Sequence, residues 1–467
     1  MAFWNRLKPI DGAHHGAQLK RTLSWPHLVA LGVGAIVGTG ILTLIGRGAG
    51  MAGPGVILSF AIAGIVCACA ALAYAELATM MPASGSAYTY SYVALGELIA
   101  WIVGWALILE YTVVVSAVAV GWSGYAAGFL HSLHVDIPEM APLGDIAGQA
   151  LHFNPLAVLI IFIVAGALIL GTRESATVNA LLVVLKLSAL VLFLFLAFGH
   201  FDAVRFEPFA PFGWGAVQQG AGKVGIAAAA ALIFFAFYGF DAVSTAAEEA
   251  KNPSRDLAIG IIGSMVICTL LYMAIGAAAV GAMDFRQFSA SDEPLAMIVR
   301  ALGYDWAAQF VGATAIIALP TVILAFLYGQ SRIFFVMARD RLLPPALGAV
   351  HEKLGTPVIV TIFTAIVCSA LAGLLTLDEI AALANAGTLA AFIAVCVSLL
   401  VLRSRDPSRA RPFRAPLAWI VAPVGIAGCL WLFSSLSEGT MVRFFIWMAI
   451  GVPIYLLYGA RKSALAA

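Results

Sequence analysis

The chain has 467 residues, 62% hydrophobic and 10% charged, with a formal net charge of +1 and a mean hydropathy of +1.00. That balance excludes a soluble globular domain, and the small net charge with no basic-aromatic module argues against a nucleic-acid surface. The six cysteines are scattered, and the one close pair, Cys67 and Cys69, lies in an apolar run without a histidine or carboxylate beside it, so neither a metal nor another cofactor is expected.

Residues 1–24 are polar and hold Arg6, Lys8, Lys20 and Arg21, which predicts a cytoplasmic segment and no cleavable signal peptide. Span 1 follows from Pro26 to Gly50 with four glycines in nine residues, Gly32, Gly34, Gly38 and Gly40. Glycine in a helix interior costs stability and allows close backbone approach. The stretch reads as a membrane helix broken near mid-depth, or as a close helix–helix crossing, which small residues four apart also permit. Span 2 is predicted at about 54–79, and a polar, aromatic connection, Ser84–Tyr92, leads to span 3 at about 97–130. A loop over 131–153 with Asp136, Glu139 and Asp145 precedes span 4 (about 154–171), a turn at Arg173-Glu174, and span 5 (about 176–199).

A loop over 200–222 leads to span 6 at about 224–250, and Ser254 or Asp256 is the expected cap of span 7 at about 256–282. Span 8 covers about 303–338, spans 9 and 10 about 357–376 and 379–402, and spans 11 and 12 about 416–435 and 441–459. With twelve spans and the N-terminus inside, eighteen of the 25 Lys and Arg fall on the inner side and six on the outer, while Lys186 lies within span 5. That bias follows the positive-inside rule and places both termini in the cytoplasm.

Span 6 holds a second anomaly, Phe234-Phe235-Ala236-Phe237-Tyr238-Gly239-Phe240-Asp241. Spans 1 and 6 each open a block of five helices, and because five is odd the second block starts from the opposite side. Breaks at matching positions in opposed blocks point to an inverted-repeat transporter with its site at the breaks. The division is 1–24 as the N-terminal segment, 25–200 and 201–403 as the two repeats, and 404–467 as spans 11 and 12 with the tail.

Open N–H groups at Gly38, Thr39 and Gly40 suit a carboxylate, and free carbonyls near Phe235 and Ala236 suit an ammonium. Ile36, Phe235, Phe237, Tyr238 and Thr321 are the candidates to shape the side-chain subsite. Lys186 stands too deep to reach the inner surface; it is either a group that takes up and releases a proton or a fixed cation in a structural role. Glu110 in span 3 either faces the cavity, where it would attract a cationic substrate, or hydrogen-bonds within the bundle. Glu76, Glu248 and Glu249 lie near span ends and read as gate or loop-pairing residues. One carboxylate per span without a metal motif or nucleophile elbow gives no support to a hydrolase. A channel would need a continuous polar lining, and a sensor or scaffold would be expected to add a sizeable soluble domain.

Several motifs occur in order: Gly32-Val33-Gly34-Ala35-Ile36-Val37-Gly38-Thr39-Gly40-Ile41, Tyr74-Ala75-Glu76-Leu77, Pro82-Ala83-Ser84-Gly85-Ser86, Phe240-Asp241-Ala242-Val243-Ser244-Thr245, Asn252-Pro253 and Tyr328-Gly329-Gln330-Ser331-Arg332. With them the chain resembles a bacterial member of the amino acid–polyamine–organocation superfamily, in its cationic amino acid transporter branch, from about Leu23 to Tyr458. The resemblance implies an all-α, leucine-transporter-like fold of two inverted five-helix repeats with broken helices 1 and 6, plus helices 11 and 12. It implies proton-coupled import of L-amino acids, with Lys186 standing where sodium-coupled relatives bind a cation. Carboxylate contacts would fall on Gly38, Thr39 and Gly40, and amine contacts on backbone at Ile36, Phe235, Ala236 and Tyr238. The chain departs from the family at Ala318-Leu319-Pro320-Thr321, where the proline predicts a kink.

Because the side-chain subsite looks bulky and uncharged, small to medium neutral amino acids, alanine first, are expected; the alternative is a transporter or exchanger of arginine and lysine. The expected partners are the amino acid, protons and the bilayer of a bacterial inner membrane, with the protein acting as a monomer.

Overall fold

The computed structural model describes every residue except 1–5, 10–22, 82–84, 133, 136–140, 147–148, 172–175, 221, 247–249, 352–353, 355 and 466–467. Asp136, Glu139, Arg173, Glu174, Glu248 and Glu249, which the sequence singles out, lie outside the described residues. Among those described, eight helices are long and apolar enough to cross a membrane, and four shorter apolar helices accompany them. The chain is a multi-pass, all-α membrane protein.

The first predicted span is three pieces, α1 (Trp25–Ile36), α2 (Thr39–Leu42) and α3 (Leu44–Ala52). A 3-10 turn, Gly53–Gly55, joins them to α4 (Val56–Met80). Next come α5 (Ser86–Ala94) and α6 (Glu97–Ser132). The run predicted as a connection is thus largely helical: nothing between Ser86 and Ala94 breaks a helix, and all nine residues are buried. Its hydroxyls mask that tendency, because serine and threonine favour caps and turns as readily as helix interiors.

The predicted loop over 131–153 holds a hairpin, β1 (Ala141–Ile146) against β2 (Gln149–Phe153), before α7 (Pro155–Ile169) and α8 (Ala176–Phe198). A second hairpin, β3 (Val217–Gln219) with β4 (Gly222–Val224), precedes α9 (Ile226–Ile233). The sixth span is interrupted at the Phe234–Asp241 run. After α9 come a 3-10 turn, Phe234–Phe237, and a single helical turn, α10 (Ala242–Thr245).

Helix α11 (Pro253–Ala282) starts earlier than predicted, with Asn252 at its N-cap and Pro253 in the first turn. Asp256 is no cap but turns back to accept from the Asn252 N–H at 3.3 Å. Two short helices, α12 (Phe285–Phe288) and α13 (Pro294–Ala301), fill what reads in sequence as a loop. The remaining elements are α14 (Asp305–Arg339), α15 (Val358–Leu374), α16 (Leu377–Arg405), α17 (Ala418–Ser435) and α18 (Glu438–Ile454). Thr376 and Glu379 form a reciprocal capping box at the start of α16.

Among the long helices α6 is the most enclosed and α18 the least. Helix α6 packs along α14 and α16, and α11 packs on α4; around the break, α1 lies against α11, α8 and α14 and α2 against α6, so four long helices flank it. At one end of the bundle the buried Glu97 carboxylate accepts from the hydroxyls of Tyr92 (2.9 Å), Tyr455 (3.0 Å) and Ser463 (2.6 Å), with Arg6 at 3.5 Å. Beside it Lys8 pairs with Asp340 at 2.8 Å and Tyr88 donates to the same carboxylate at 2.9 Å. Glu76 is likewise paired, with Arg403 at 3.0 Å and Arg411 at 3.1 Å, in keeping with a span-end pairing role.

Candidate functional site

Helix α1 stops at Ile36, and Val37 and Gly38 are extended before α2 begins at Thr39. The last carbonyls of a helix have no partner within it, and the first N–H groups of the next are equally open. Side chains from neighbouring helices take up the carbonyls. Lys186 Nζ of α8 donates to Gly34 O at 2.9 Å, and the Tyr272 hydroxyl of α11 donates to Ile36 O at 2.9 Å. At the end of α2, the Tyr125 hydroxyl of α6 donates to Leu42 O at 2.6 Å. Lys186 is therefore a deeply buried amino group resting on the last turn of α1, where the helix dipole favours positive charge.

The N–H groups of Gly38, Thr39 and Gly40 face no such side-chain acceptor among the described residues. Thr39 Oγ1 is buried in the same place, also without a hydrogen-bond partner there. Gly121 of α6 makes room for this threonine: a Cβ at 121 would lie 2.3 Å from Thr39 Cγ2.

The second break lies directly against the first. A Cβ on Gly40 would sit 2.2 Å from Ala236 Cα, and one on Gly239, whose φ is +110°, would sit 2.7 Å from the Ala35 carbonyl carbon. Glycine at both positions lets the two interrupted helices meet backbone to backbone. Asn385 of α16 closes the end of α9, its amide donating to Ala231 O at 2.6 Å and Leu232 O at 2.9 Å. Asn385 also accepts from the Tyr238 hydroxyl.

The sequence-predicted residues thus separate into groups. Ile36, Gly38, Thr39, Gly40 and Ala236 come together, although Ile36 O already accepts from Tyr272. Phe235 packs on Tyr238, with ring centroids 5.0 Å apart, and Tyr238 turns to Asn385. Phe237 lies between Phe60 and Tyr272, in the core formed with α4 and α11. Thr321 donates to Ala318 O within its own helix at 2.8 Å, and the α14 side chain nearest to Gly38 is Val322, 3.7 Å from where a Cβ would stand.

Glu110 packs against Gly387 of α16, buried and with Oε2 unpaired among the described residues. It lies eleven residues before Gly121, or about 16 Å along α6 at 1.5 Å per residue. Asn385, Tyr272, Tyr125 and Gly121 escape a reading by apolar periodicity; an isolated polar group inside an apolar span is the signal that marks the first.

The proline in α14 has a specific consequence. Pro320 has no N–H to offer Ile316 O four residues back. The Trp122 indole of α6 donates to that carbonyl instead, at 2.9 Å, and α14 continues through the proline.

Two helix breaks thus lie against each other inside an apolar bundle, with open amides on one and capped carbonyls on both. A family model described as amino acid permease matches residues 23–457. The chain belongs to the amino acid permease family. The permease is 44% identical to the branched-chain amino acid permease BcaP of Bacillus subtilis (strain 168), over 96% of this chain and 95% of that relative. It is 39% identical to the methylthioribose transporter of the same organism, over 98% of each chain. With the vacuolar cationic amino acid transporter 2 of Arabidopsis thaliana it shares 37% identity, over 86% of this chain and 63% of the relative. Membership makes the permease an amino-acid transporter of the amino acid–polyamine–organocation superfamily rather than an enzyme.

Proposed function

We propose that this permease is a proton-coupled importer of L-amino acids in a bacterial inner membrane, favouring small to medium neutral side chains from alanine up to the branched-chain ones. The observation that carries the reading is the contact of the two breaks at Gly40 and Ala236, which sets the open amides of Gly38, Thr39 and Gly40 beside the 3-10 turn of the sixth span. The amides and the Thr39 hydroxyl receive the carboxylate, and backbone near Phe235 and Ala236 receives the amine. Lys186, holding Gly34 O, links proton movement to the position of α1. In this reading 25–200 and 201–403 are inverted five-helix repeats, α17 and α18 are additions, and both termini are cytoplasmic, as the lysine and arginine bias supports. The protein acts as a monomer.

Neutral substrates are favoured because the side chains around Gly38, Gly40 and Ala236, those of Ile36, Thr39 and Val322, are uncharged, and the branched-chain relative agrees. A second reading, transport of arginine or lysine, draws on the buried, unpaired Glu110 Oε2 and on the cationic transporters among the relatives. The distance of Glu110 from the Gly121 level of α6 weighs against it, because a buried substrate cation without a partner is costly.

The test is uptake of labelled alanine and leucine into proteoliposomes, with and without an imposed proton gradient, and with lysine and arginine as competitors. Accumulation above equilibrium that needs the gradient and resists both basic amino acids is expected. Equal flux without the gradient would remove the coupling. Strong competition by arginine that disappears in Glu110→Gln, with alanine still bound, would establish the cationic reading instead.

A further inference from the structure

We infer that Trp122 is a positioning residue for substrate selectivity, acting through the carbonyl that Pro320 leaves without a donor. This rests on the proposed transport site and names what fixes one of its walls. In an ordinary helix the N–H of residue 320 would satisfy Ile316 O; proline removes that donor, and an unpaired carbonyl in an apolar bundle is costly. The Trp122 indole N–H supplies the bond from α6 at 2.9 Å. A tryptophan placed to donate to the fourth residue before a helix proline replaces the lost bond one for one.

The location of this bond gives it a functional consequence. Trp122 follows Gly121, the residue against which Thr39 of the first break packs. Val322, two residues after Pro320, is the α14 side chain that faces Gly38. The bond therefore ties α14, immediately before the stretch that meets the first break, to the α6 turn that touches the other side of that break. Helix α14 continues through Pro320, but at this one carbonyl its own backbone bond is replaced by the bond from α6, so the Trp122 hydrogen bond adds a directional link to the packing that sets the distance of α14 from Gly38. The side-chain subsite keeps a fixed width only while that bond is made. A neutral, one-methyl-at-a-time pocket depends on such a width, since each methylene is discriminated weakly.

The experiment is a double-mutant cycle on the full chain in proteoliposomes and in detergent, with Trp122→Phe, Pro320→Ala and the two combined. Trp122→Phe should lower the melting temperature and bring alanine-to-leucine discrimination, whichever way it runs in the parent, to within about threefold, with less effect on maximal rate. Pro320→Ala restores a backbone N–H to residue 320, so Ile316 O no longer depends on the indole. In the combined variant both thermal stability and discrimination should return towards the Pro320→Ala values, which a role for the bulk of tryptophan alone would not produce. Additive losses in the cycle, or a Trp122→Phe variant that transports with parental discrimination, would overturn the inference. Should the parent fail to transport amino acids, the functional reading fails by itself, and the thermal cycle still decides whether Trp122 and Pro320 are coupled.

Discussion

Gly40 meets Ala236 so closely that a Cβ at 40 would stand 2.2 Å from the Ala236 Cα, while a Cβ at Gly38 would meet nothing nearer than Val322 at 3.7 Å. The two glycines of one break therefore do different things. Gly40 allows the interrupted helices to touch, and Gly38 leaves an open amide with space in front of it.

Substituting each separates packing from binding. Gly40→Ala has to push the backbone of the 3-10 turn aside and should destabilise the protein by about 1–3 kcal/mol, as overpacking does. Gly38→Ala should keep its melting temperature close to the parent's while losing substrate affinity by about tenfold or more, because its methyl enters the space where the carboxylate would lie. Thermal unfolding and binding of labelled alanine, measured on the same preparations, check both. Parental affinity in a stable Gly38→Ala protein would place the carboxylate elsewhere.

Lys186 holds Gly34 O at 2.9 Å, which ties a titratable group to the end of α1. Lys186→Met keeps most of the side-chain volume and removes the donor. The expected result is loss of gradient-driven accumulation with exchange of substrate retained, and a stability cost of about 1–3 kcal/mol for the stranded carbonyl. If the variant accumulates substrate as the parent does under the same imposed gradient, the lysine serves structure only.

Asn385 carries three hydrogen bonds at the second break, two donated to α9 and one accepted from Tyr238. Asn385→Leu is close in volume and leaves two carbonyls and a phenol without their partner, so a loss of roughly 2 kcal/mol or more is expected. Tyr238→Phe removes only the phenol and should cost less. In the double variant the Tyr238 contribution should shrink, since its partner has gone. Equilibrium unfolding of the parent and the three variants checks the cycle.

Glu293 supplies a pH dependence outside the spans. Burial pushes its carboxyl above the usual carboxylate range, against the opposing pull of Arg300, which donates to it at 2.8 Å. A carboxyl whose folded value is raised favours the fold while protonated. That contribution is complete below the unfolded value of roughly 4.3 and is lost as pH rises through the folded value. Glu293→Gln keeps an acceptor for Arg300 without the charge, so its melting temperature should gain on the parent's as pH is raised across that window. A parent-to-variant difference that does not change with pH would show that Glu293 is not titrating there.

The spans were legible because long apolar runs between charges have few alternatives; the four glycines fitted either a break or a close crossing, and they divide between the two, Gly32 lying inside α1 where a Cβ would meet Ser264 at 2.5 Å and Gly38 and Gly40 lying at the break. The second break showed as a tyrosine, a glycine and an aspartate inside the apolar run Phe234–Asp241, but not its internal form, a 3-10 turn at Phe234–Phe237 followed by the single turn Ala242–Thr245. The groups that complete the site were harder to read. Tyr272 and Tyr125 resemble ordinary aromatics of a membrane helix until their hydroxyls are seen on Ile36 and Leu42. Trp122 and Pro320 lie nearly two hundred residues apart, and neither explains the other until α6 and α14 are side by side. Helix α5 was hidden for a related reason, since its hydroxyl-rich sequence suits a turn as well as a buried helix.

The ion pairs at Arg6 and Lys8 also fix a sequence of events during synthesis. Lys8 is made 332 residues before Asp340, and Arg6 is made 454 residues before Ala460, whose carbonyl it reaches at 3.2 Å. At ribosomal rates of about 5–20 residues per second, Lys8 waits on the order of 20–60 s for its partner. Every helix up to α14 has been synthesised by then, and nearly the whole chain before Ser463 can reach Glu97. Arg6 and Lys8 are thus made early and fastened late, and a nascent chain stalled before that point carries both cations without the partners that the completed molecule gives them.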